Sequence, residues 1–210
     1  MKIVVLGNEN EVAELTSAYT GDSITLIRIH TAEEFFLHPD ADAYFDLAFE
    51  NTVERTALLT RLLPKIVFIN SVVESLAESG SSFIRINGWP VFLKRTVLET
   101  SCANESLKTG AEKVAAALNK TIDWVPDIPG FVSARVVSMI INEAYFALQE
   151  NVSTKKEINI AMKLGTNYPY GPFEWSERIG LKNIYSLLNE LSKTNSRYRP
   201  ATLLEKEATR

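Results

Sequence analysis

The sequence predicts an α/β domain with a mainly parallel sheet, followed by an all-α domain. Two observations carry this prediction. Short β-branched runs alternate with helical patterns over the first part of the 210-residue chain, and only helical periodicity follows the turn-rich segment Val125–Gly130. Strands that alternate with helices are typical of a parallel sheet with right-handed crossovers. We therefore place the two domains at residues 1–125 and 126–210.

The predicted strands are rich in valine and isoleucine, and several are almost continuously apolar, as in a sheet covered on both faces. They are KIVVLG, SITLIRIH, AYFDLAF, KIVFIN, SSFIRIN and TIDWV, and VFLKRTVLET continues the pattern before the last of them. The helical patterns between them are ENEVAELTSAY, TAEEFFL, NTVERTALLTRLL, SVVESLAES and a segment near 104–118.

The second domain opens with an apolar stripe at helical spacing over 133–150. Thr154 and Glu157 form a capping box for the next helix, which Gly165 is suited to close. Pro172 suits the first turn of a third helix, and LKNIYSLLNELSK is amphipathic. The polar end, NSRYRPATLLEKEATR, is expected to be partly loose.

Composition excludes several functions. With a net charge of −4 and no basic cluster larger than a pair, no nucleic acid partner is expected. No apolar run approaches the ~20 residues needed to span a membrane, so no membrane partner is expected either. The single cysteine, Cys102, rules out an internal disulfide. No metal site is expected, because the two histidines, His30 and His38, lie far from Cys102 in the sequence. MKIVVLG has no signal-peptide layout, and the simplest expectation is a cytoplasmic protein.

One stretch of the second domain carries a specific motif. It contains Pro129-Gly130-Phe131, then Ala161-Met162-Lys163-Leu164-Gly165, then Tyr168-Pro169-Tyr170-Gly171-Pro172-Phe173-Glu174, and finally Gly180-Leu181. This order and spacing resemble the C-terminal domain of 3-hydroxyacyl-CoA dehydrogenases. The resemblance implies a Rossmann-like N-terminal domain that binds NAD, a role in fatty acid metabolism, and a homodimer joined through the helical domain.

The phosphate-binding loop departs from that family. Its Gly-x-Gly-x-x-Gly motif allows a tight turn and a close backbone approach to the pyrophosphate. Here the stretch reads Gly7-Asn8-Glu9-Asn10-Glu11-Val12, which keeps only the first glycine. Arg28 stands where the resemblance implies a ribose-binding acid. We therefore expect no bound cofactor, with NAD implied by resemblance alone and Gly7, Asn8 and Arg28 as weak cofactor-binding candidates.

The positions that the resemblance assigns to catalysis also differ. We align the family's Phe-Asn-Pro-Val-Pro-Val run with residues 86–91 of this chain, which needs no gap as far as Pro129. In this alignment Ile84 stands at the family's histidine, Thr96 at its glutamate and Ala134 at its asparagine. Val72 stands at the family's substrate-binding serine unless the loop, Ile69-Asn70-Ser71-Val72, is shifted by one residue. Glu99 is the acid nearest to the position of the lost glutamate, but there is no histidine for it to orient. No catalytic residue is therefore expected, because isoleucine cannot act as a general base.

Asn70, Ser71 and Asn87 follow predicted strands and are candidates for a cleft, where open α/β sheets bind ligands. The segment TAEEFFLHPDAD replaces a long helical extension of the family, so the first domain is shortened. We expect a catalytically silent, 3-hydroxyacyl-CoA dehydrogenase-like protein that acts as a binding or regulatory partner. An NAD-dependent oxidoreductase of 3-hydroxyacyl-CoA substrates with displaced residues and a small-ligand binder are the alternatives, and its partners would be small molecules or proteins.

Overall fold

The computed structural model describes residues 1–79 and 82–210 and divides them into two compact units, Met1–Phe131 and Val132–Arg210. The first unit contains a sheet with helices, and the described elements of the second are all helical. This confirms the predicted fold class. The division between the units lies directly after the turn-rich segment at which the sequence placed its boundary.

The strands of the first unit form one sheet in the order β2-β1-β3-β4-β5-β6-β7. Its neighbouring pairs are parallel except β5 and β6, which are antiparallel. The strands are β1 (Lys2–Leu6), β2 (Thr25–Ile29), β3 (Ala43–Asp46), β4 (Ile66–Asn70), β5 (Ile84–Ile86), β6 (Val97–Cys102) and β7 (Thr121–Trp124). The predicted run SSFIRIN begins at Ser81, which lies outside the described residues.

The antiparallel pair follows from the connection between its strands. Residues 87–96 join β5 to β6 through turns, with no helix in this described segment. A parallel neighbour would need a crossover of about a dozen residues or more, usually through a helix. The short connection therefore makes β6 run antiparallel to β5. The other neighbouring strand pairs are parallel, as the sequence predicted.

The helices of the first unit are shorter than the sequence patterns suggested. TAEEFFL forms the 3-10 helix Ala32–Leu37, and the helical part of SVVESLAES is confined to its end. The helices are α1 (Glu9–Leu15), α2 (Val53–Thr60), α3 (Leu76–Ser79) and α4 (Lys108–Ala117), with a second 3-10 helix at Glu105–Leu107.

Strand β1 shows why its sequence is apolar without interruption. Ile3 and Val5 belong to a core cluster with α1 and α4, whereas Val4 and Leu6 belong to a cluster with α2 and the first 3-10 helix. Successive side chains of a strand point to opposite faces, and here both faces are covered. The sheet is therefore buried between two layers of helices.

The helices of the second unit are α5 (Ser133–Gln149), α6 (Lys155–Thr166), α7 (Pro172–Ile179), α8 (Leu181–Ser192) and α9 (Thr202–Ala208), with a 3-10 turn at Ser196–Tyr198. The capping box of Thr154 and Glu157 and the helix start at Pro172 form as predicted. Gly165 lies inside α6 instead of closing it. Asn167 ends the helix in the left-handed conformation, with φ of 54°, which asparagine tolerates better than most residues.

The expectation of a loose C-terminus is wrong. Asn142, buried in α5, accepts a hydrogen bond from the Ala201 amide at 2.8 Å and donates one to the Arg199 carbonyl at 3.0 Å. The Tyr145 hydroxyl donates to Glu207 at 2.8 Å. Polar side chains far away in the sequence thus hold the last segment in place, and Leu204 of α9 is fully buried.

Within the ranges described, no helix combines the length and the apolar character that crossing a membrane requires.

Candidate functional site

The loop after β1 is closed by its own side chains. The Asn8 amide donates to Glu11 Oε2 at 2.8 Å, and the Glu11 amide donates to Asn8 Oδ1 at 3.0 Å. This reciprocal capping box uses two amides at the start of α1 that would otherwise be free to bind an anion. Glu11 Oε2 also lies only 3.0 Å from the place of a Cβ built on Gly7.

Arg28 lies beside the same loop. Its Nε donates to the Gly7 carbonyl at 3.0 Å, in register with the end of β1. The structure therefore brings the three weak cofactor-binding candidates, Gly7, Asn8 and Arg28, together. The pyrophosphate of a dinucleotide needs open amides and no competing carboxylate. The side chain of Glu11 fills that place, so the residues present do not fit the phosphates of NAD.

Two of the three cleft candidates lie at the carboxyl ends of β4 and β5. Asn70 donates to the Leu47 carbonyl at 3.1 Å and accepts from the Gly88 amide at 3.0 Å. A Cβ on Gly88 would come within 2.6 Å of the Asn70 side chain, so this close approach requires glycine. Asn70 thus links the ends of β3, β4 and β5 by hydrogen bonds. It therefore has a structural role in addition to its position at the candidate cleft.

Asn87 is paired with the acid that the sequence analysis noted. Its Nδ2 donates to Glu99 Oε2 at 2.9 Å, and the two backbones are also joined, from the Asn87 amide to the Glu99 carbonyl at 3.0 Å. Asn87 is 3% exposed, and its Oδ1 is buried without a hydrogen-bond partner among the described residues. Glu99 therefore orients an amide here instead of an imidazole.

The third cleft candidate, Ser71, contacts a buried arginine. Arg85 is fully buried in β5, and its Nη1 donates to the Ser71 carbonyl at 3.1 Å and to the Glu74 carbonyl at 2.8 Å. The Ser71 hydroxyl itself donates to the Glu74 carbonyl at 3.0 Å. In the family that this chain resembles, the matched loop carries the substrate-binding serine. In this chain the Arg85 guanidinium group holds that loop in place.

The same arginine holds the turn-rich segment at the end of the first unit. Arg85 Nε lies 2.9 Å from Asp127 Oδ1, and Nη2 donates to the Ile128 carbonyl at 2.8 Å. The guanidinium carbon lies 4.2 Å from the centre of the Phe131 ring. We call these groups the Arg85 clamp: Arg85 with Ser71, Glu74, Asp127, Ile128 and Phe131.

The positions matched to the family's catalytic residues are placed as follows. Ile84 is fully buried in the middle of the sheet, between β4 and β6. Val72 and Ala134 are also buried, whereas Thr96 is exposed before β6. A buried isoleucine offers no proton acceptor, so the described geometry brings no general base to that position.

A cavity of about 470 Å³ lies in the first unit, beside the carboxyl ends of β1, β2 and β3. The chain runs outward from β1 to β2 and then crosses to the other side of β1 at β3. Such a switch in direction is where open α/β sheets usually bind ligands. The cavity is lined by Leu6, His30, Thr31, Ala32, Glu33, Ala48, Glu50, Thr52, Glu54, Arg55 and Leu58.

A buried ion pair stands behind this cavity. Asp46, at the end of β3, is fully buried, and its Oδ2 lies 2.8 Å from Arg55 Nε. Burial raises the pKa of Asp46 to about 6, although the Arg55 guanidinium opposes this shift. Arg55 Nη2 also donates to the Ala48 carbonyl at 3.3 Å. The positive charge of Arg55 is therefore already compensated within the protein.

Comparisons with known proteins agree with this architecture. The family model described as "3-hydroxyacyl-CoA dehydrogenase, C-terminal domain" matches residues 130–209. The fold is similar to that of a (S)-3-hydroxybutyryl-CoA dehydrogenase from Ralstonia eutropha, with a TM-score of 0.76 and 21% identity over 98% of this chain and 92% of that one. The class is thus an α/β domain followed by a dehydrogenase-type helical domain.

Sequence relatives identify the family. A 3-hydroxybutyryl-CoA dehydrogenase of Bradyrhizobium diazoefficiens is 37% identical over 201 residues, which cover 86% of this chain and 67% of that protein. The 3-hydroxyadipyl-CoA dehydrogenase of Escherichia coli is 45% identical over 91 residues, but the match spans only 19% of its length and 42% of this chain. The chain belongs to the 3-hydroxyacyl-CoA dehydrogenase family.

Sequence reasoning missed the Arg85 clamp, the Asp46–Arg55 pair and the carboxylates of the cavity. A signal was present for the first two, because Arg85 and Asp46 each interrupt an otherwise apolar strand. A charge in such a strand needs a buried partner, which the sequence does not identify.

Proposed function

We propose that this 3-hydroxyacyl-CoA dehydrogenase-like protein does not carry out the dehydrogenase reaction and acts as a binding or regulatory partner, located in the cytoplasm. One observation carries the proposal: the Glu11 carboxylate occupies the start of α1, where it accepts the Asn8 amide at 2.8 Å. A dinucleotide would have to displace this carboxylate and then bring its own negative charges beside Glu9 and Glu11. The positions matched to the catalytic residues support the same conclusion.

The direct test is a titration with NADH, followed by fluorescence anisotropy of the nicotinamide. We expect no saturation in the low micromolar range, which corresponds to about −8 kcal/mol. The Glu11→Gln variant keeps the size of the side chain and removes its charge, so it should bind NADH no more weakly than the parent protein. Tight binding by the parent protein would contradict the proposal and favour the oxidoreductase alternative.

We further propose a homodimer that is joined through the helical unit. Helix α6 contributes no fully buried residue, yet it carries Ile160 and Leu164, which are 44% and 83% exposed. Val152, which precedes α6, and Tyr168, which follows it, are 69% and 40% exposed. Ile160 and Leu164 are four residues apart and so lie on one face of the helix, and an exposed apolar face is typical of protein–protein contacts. The apolar face of α8, by contrast, is packed inside the unit, so α6 is the proposed interface.

Light scattering coupled to size-exclusion chromatography should give a mass of about twice the 23.5 kDa of one chain. The Leu164→Asp variant should shift the mass towards one chain, because it places a charge in the contact. Leu37→Asp is the matched control, since Leu37 is 72% exposed in the other unit and should not change the mass. A parent protein that elutes as a single chain at micromolar concentration would show that the dimer proposal is wrong.

The small-ligand alternative is supported by the cavity beside β1, β2 and β3, and it is compatible with the proposed loss of dehydrogenase activity.

A further inference from the structure

The cavity of the first unit combines an apolar floor with a negatively charged rim. The buried side chains of Leu6 and Ala32 and the partly buried Leu58 line its inner part. Exposed carboxylates line the rim, at Glu50 and Glu54 among others. A ligand that fills this space must therefore present carbon to the floor and polar groups to the rim.

The charge of the rim is not balanced by the lining itself. The lining contains a single arginine, Arg55, and the buried Asp46 already pairs with it at 2.8 Å. Glu33 also faces the cavity, and hydrogen bonds from its own backbone amide and the Thr31 hydroxyl lower the pKa of its carboxyl group. The charge of Arg55 contributes to the same shift, so this one arginine faces the carboxyl groups of Asp46, Glu33, Glu50 and Glu54. Negative charge is therefore in excess at the cavity, and an anionic ligand would be repelled.

The neighbouring loop strengthens this selection. An acidic rim does not by itself exclude a phosphate group, because free backbone amides beside the rim could bind the phosphate. Here the amides of Asn8 and Glu11 are both used by the capping box, so neither can compensate the charge of a phosphate group. The loop and the acidic rim together therefore favour a ligand without phosphate groups.

We propose that this cavity binds a small organic cation of the alkylammonium class, with its carbon chain on the floor formed by Leu6, Ala32 and Leu58 and its ammonium groups at the carboxylates of Glu33, Glu50 and Glu54. The ammonium group donates hydrogen bonds that carboxylates accept, and it gains from their charge. This site does not depend on the proposed dimer. It shares with the proposed function the loop closed by Asn8 and Glu11, but binding of the cation and binding of NADH are measured separately, so each proposal can fail alone.

The test compares putrescine with 1,4-butanediol, which has the same carbon chain but hydroxyl groups in place of ammonium groups. In ¹H–¹⁵N correlation spectra of the full chain, putrescine should shift the amide signals of residues 30–33 and 48–58, and butanediol should bind at least roughly tenfold more weakly. Added salt should weaken the binding of putrescine through screening.

Two double variants locate the site. Glu50→Gln/Glu54→Gln should weaken putrescine binding roughly tenfold, because each lost charge removes part of the attraction. Asp22→Asn/Asp123→Asn removes the same net charge from exposed positions outside the cavity and should leave binding unchanged. Equal weakening by both variants, equal binding of the two probes, or no saturable shift with millimolar putrescine would each overturn the proposal.

Discussion

Incubated with NAD or NADP and 3-hydroxyacyl-CoA substrates from short to long chains, the purified protein should show no turnover above background. General acid–base assistance contributes roughly 10²- to 10⁴-fold to such reactions. The position of the family's histidine is taken by Ile84, which is fully buried and has no group that titrates. The glutamate that orients this histidine in the family is replaced by Thr96. We therefore expect the whole contribution of general acid–base catalysis by these two residues to be lost.

A control separates real activity from a contaminant. If displaced residues catalysed the reaction, Glu99 would be the acid nearest to the matched positions, and it already orients Asn87 at 2.9 Å. Turnover that survives further purification and scales with protein concentration would contradict the proposed function, and its loss in Glu99→Gln would assign it to this acid. A trace rate that falls with each purification step would come from a contaminant.

The Arg85→Met variant should lose about 3–5 kcal/mol of the free energy of unfolding. Methionine fills part of the space, but it removes the cation that lies 2.9 Å from Asp127 Oδ1 and the donor to the carbonyls of Ser71 and Ile128. The Glu74 carbonyl loses one of its two donors and keeps the Ser71 hydroxyl. A buried polar group that loses its partner keeps the cost of desolvation. Urea unfolding followed by tryptophan fluorescence and circular dichroism measures the change.

A double-mutant cycle shows whether the ion pair carries this loss. Arg85→Met and Asp127→Asn should be non-additive by about 1–3 kcal/mol, since residues in one network couple. Lys113→Met removes a cation from an exposed site on α4 and should stay within about 0.5 kcal/mol of the parent protein. A loss of under 1 kcal/mol in Arg85→Met would show that the Arg85 clamp does not hold the loop.

Within the first unit, the Arg85 clamp joins two segments near the ends of β4 and β5. The loop at Ser71 and the segment from Asp127 to Phe131 are both held by one buried guanidinium group. In the family that this chain resembles, a serine of the matched loop helps to bind the substrate. Here the Ser71 carbonyl accepts a hydrogen bond from Arg85 at 3.1 Å, which fixes the backbone of this loop.

By itself, the sequence determined the features that depend on neighbouring residues. The capping box of Thr154 and Glu157, the helix start at Pro172 and the uninterrupted apolar run of β1 follow from local periodicity and local hydrogen bonds. The loss of the phosphate-binding glycines could also be read directly, because that motif occupies a few consecutive positions. These signals do not require knowledge of any distant contact.

Only the tertiary structure decided the features whose partners lie far apart in the chain. Arg85 meets Asp127, and the C-terminal segment is held by Asn142 of α5. The sequence shows that a charge is placed in an apolar strand, but many distant groups are equally possible partners. The cavity has the same origin, because its carboxylates come from separate loops that the switch in strand order between β1 and β3 brings to one edge of the sheet.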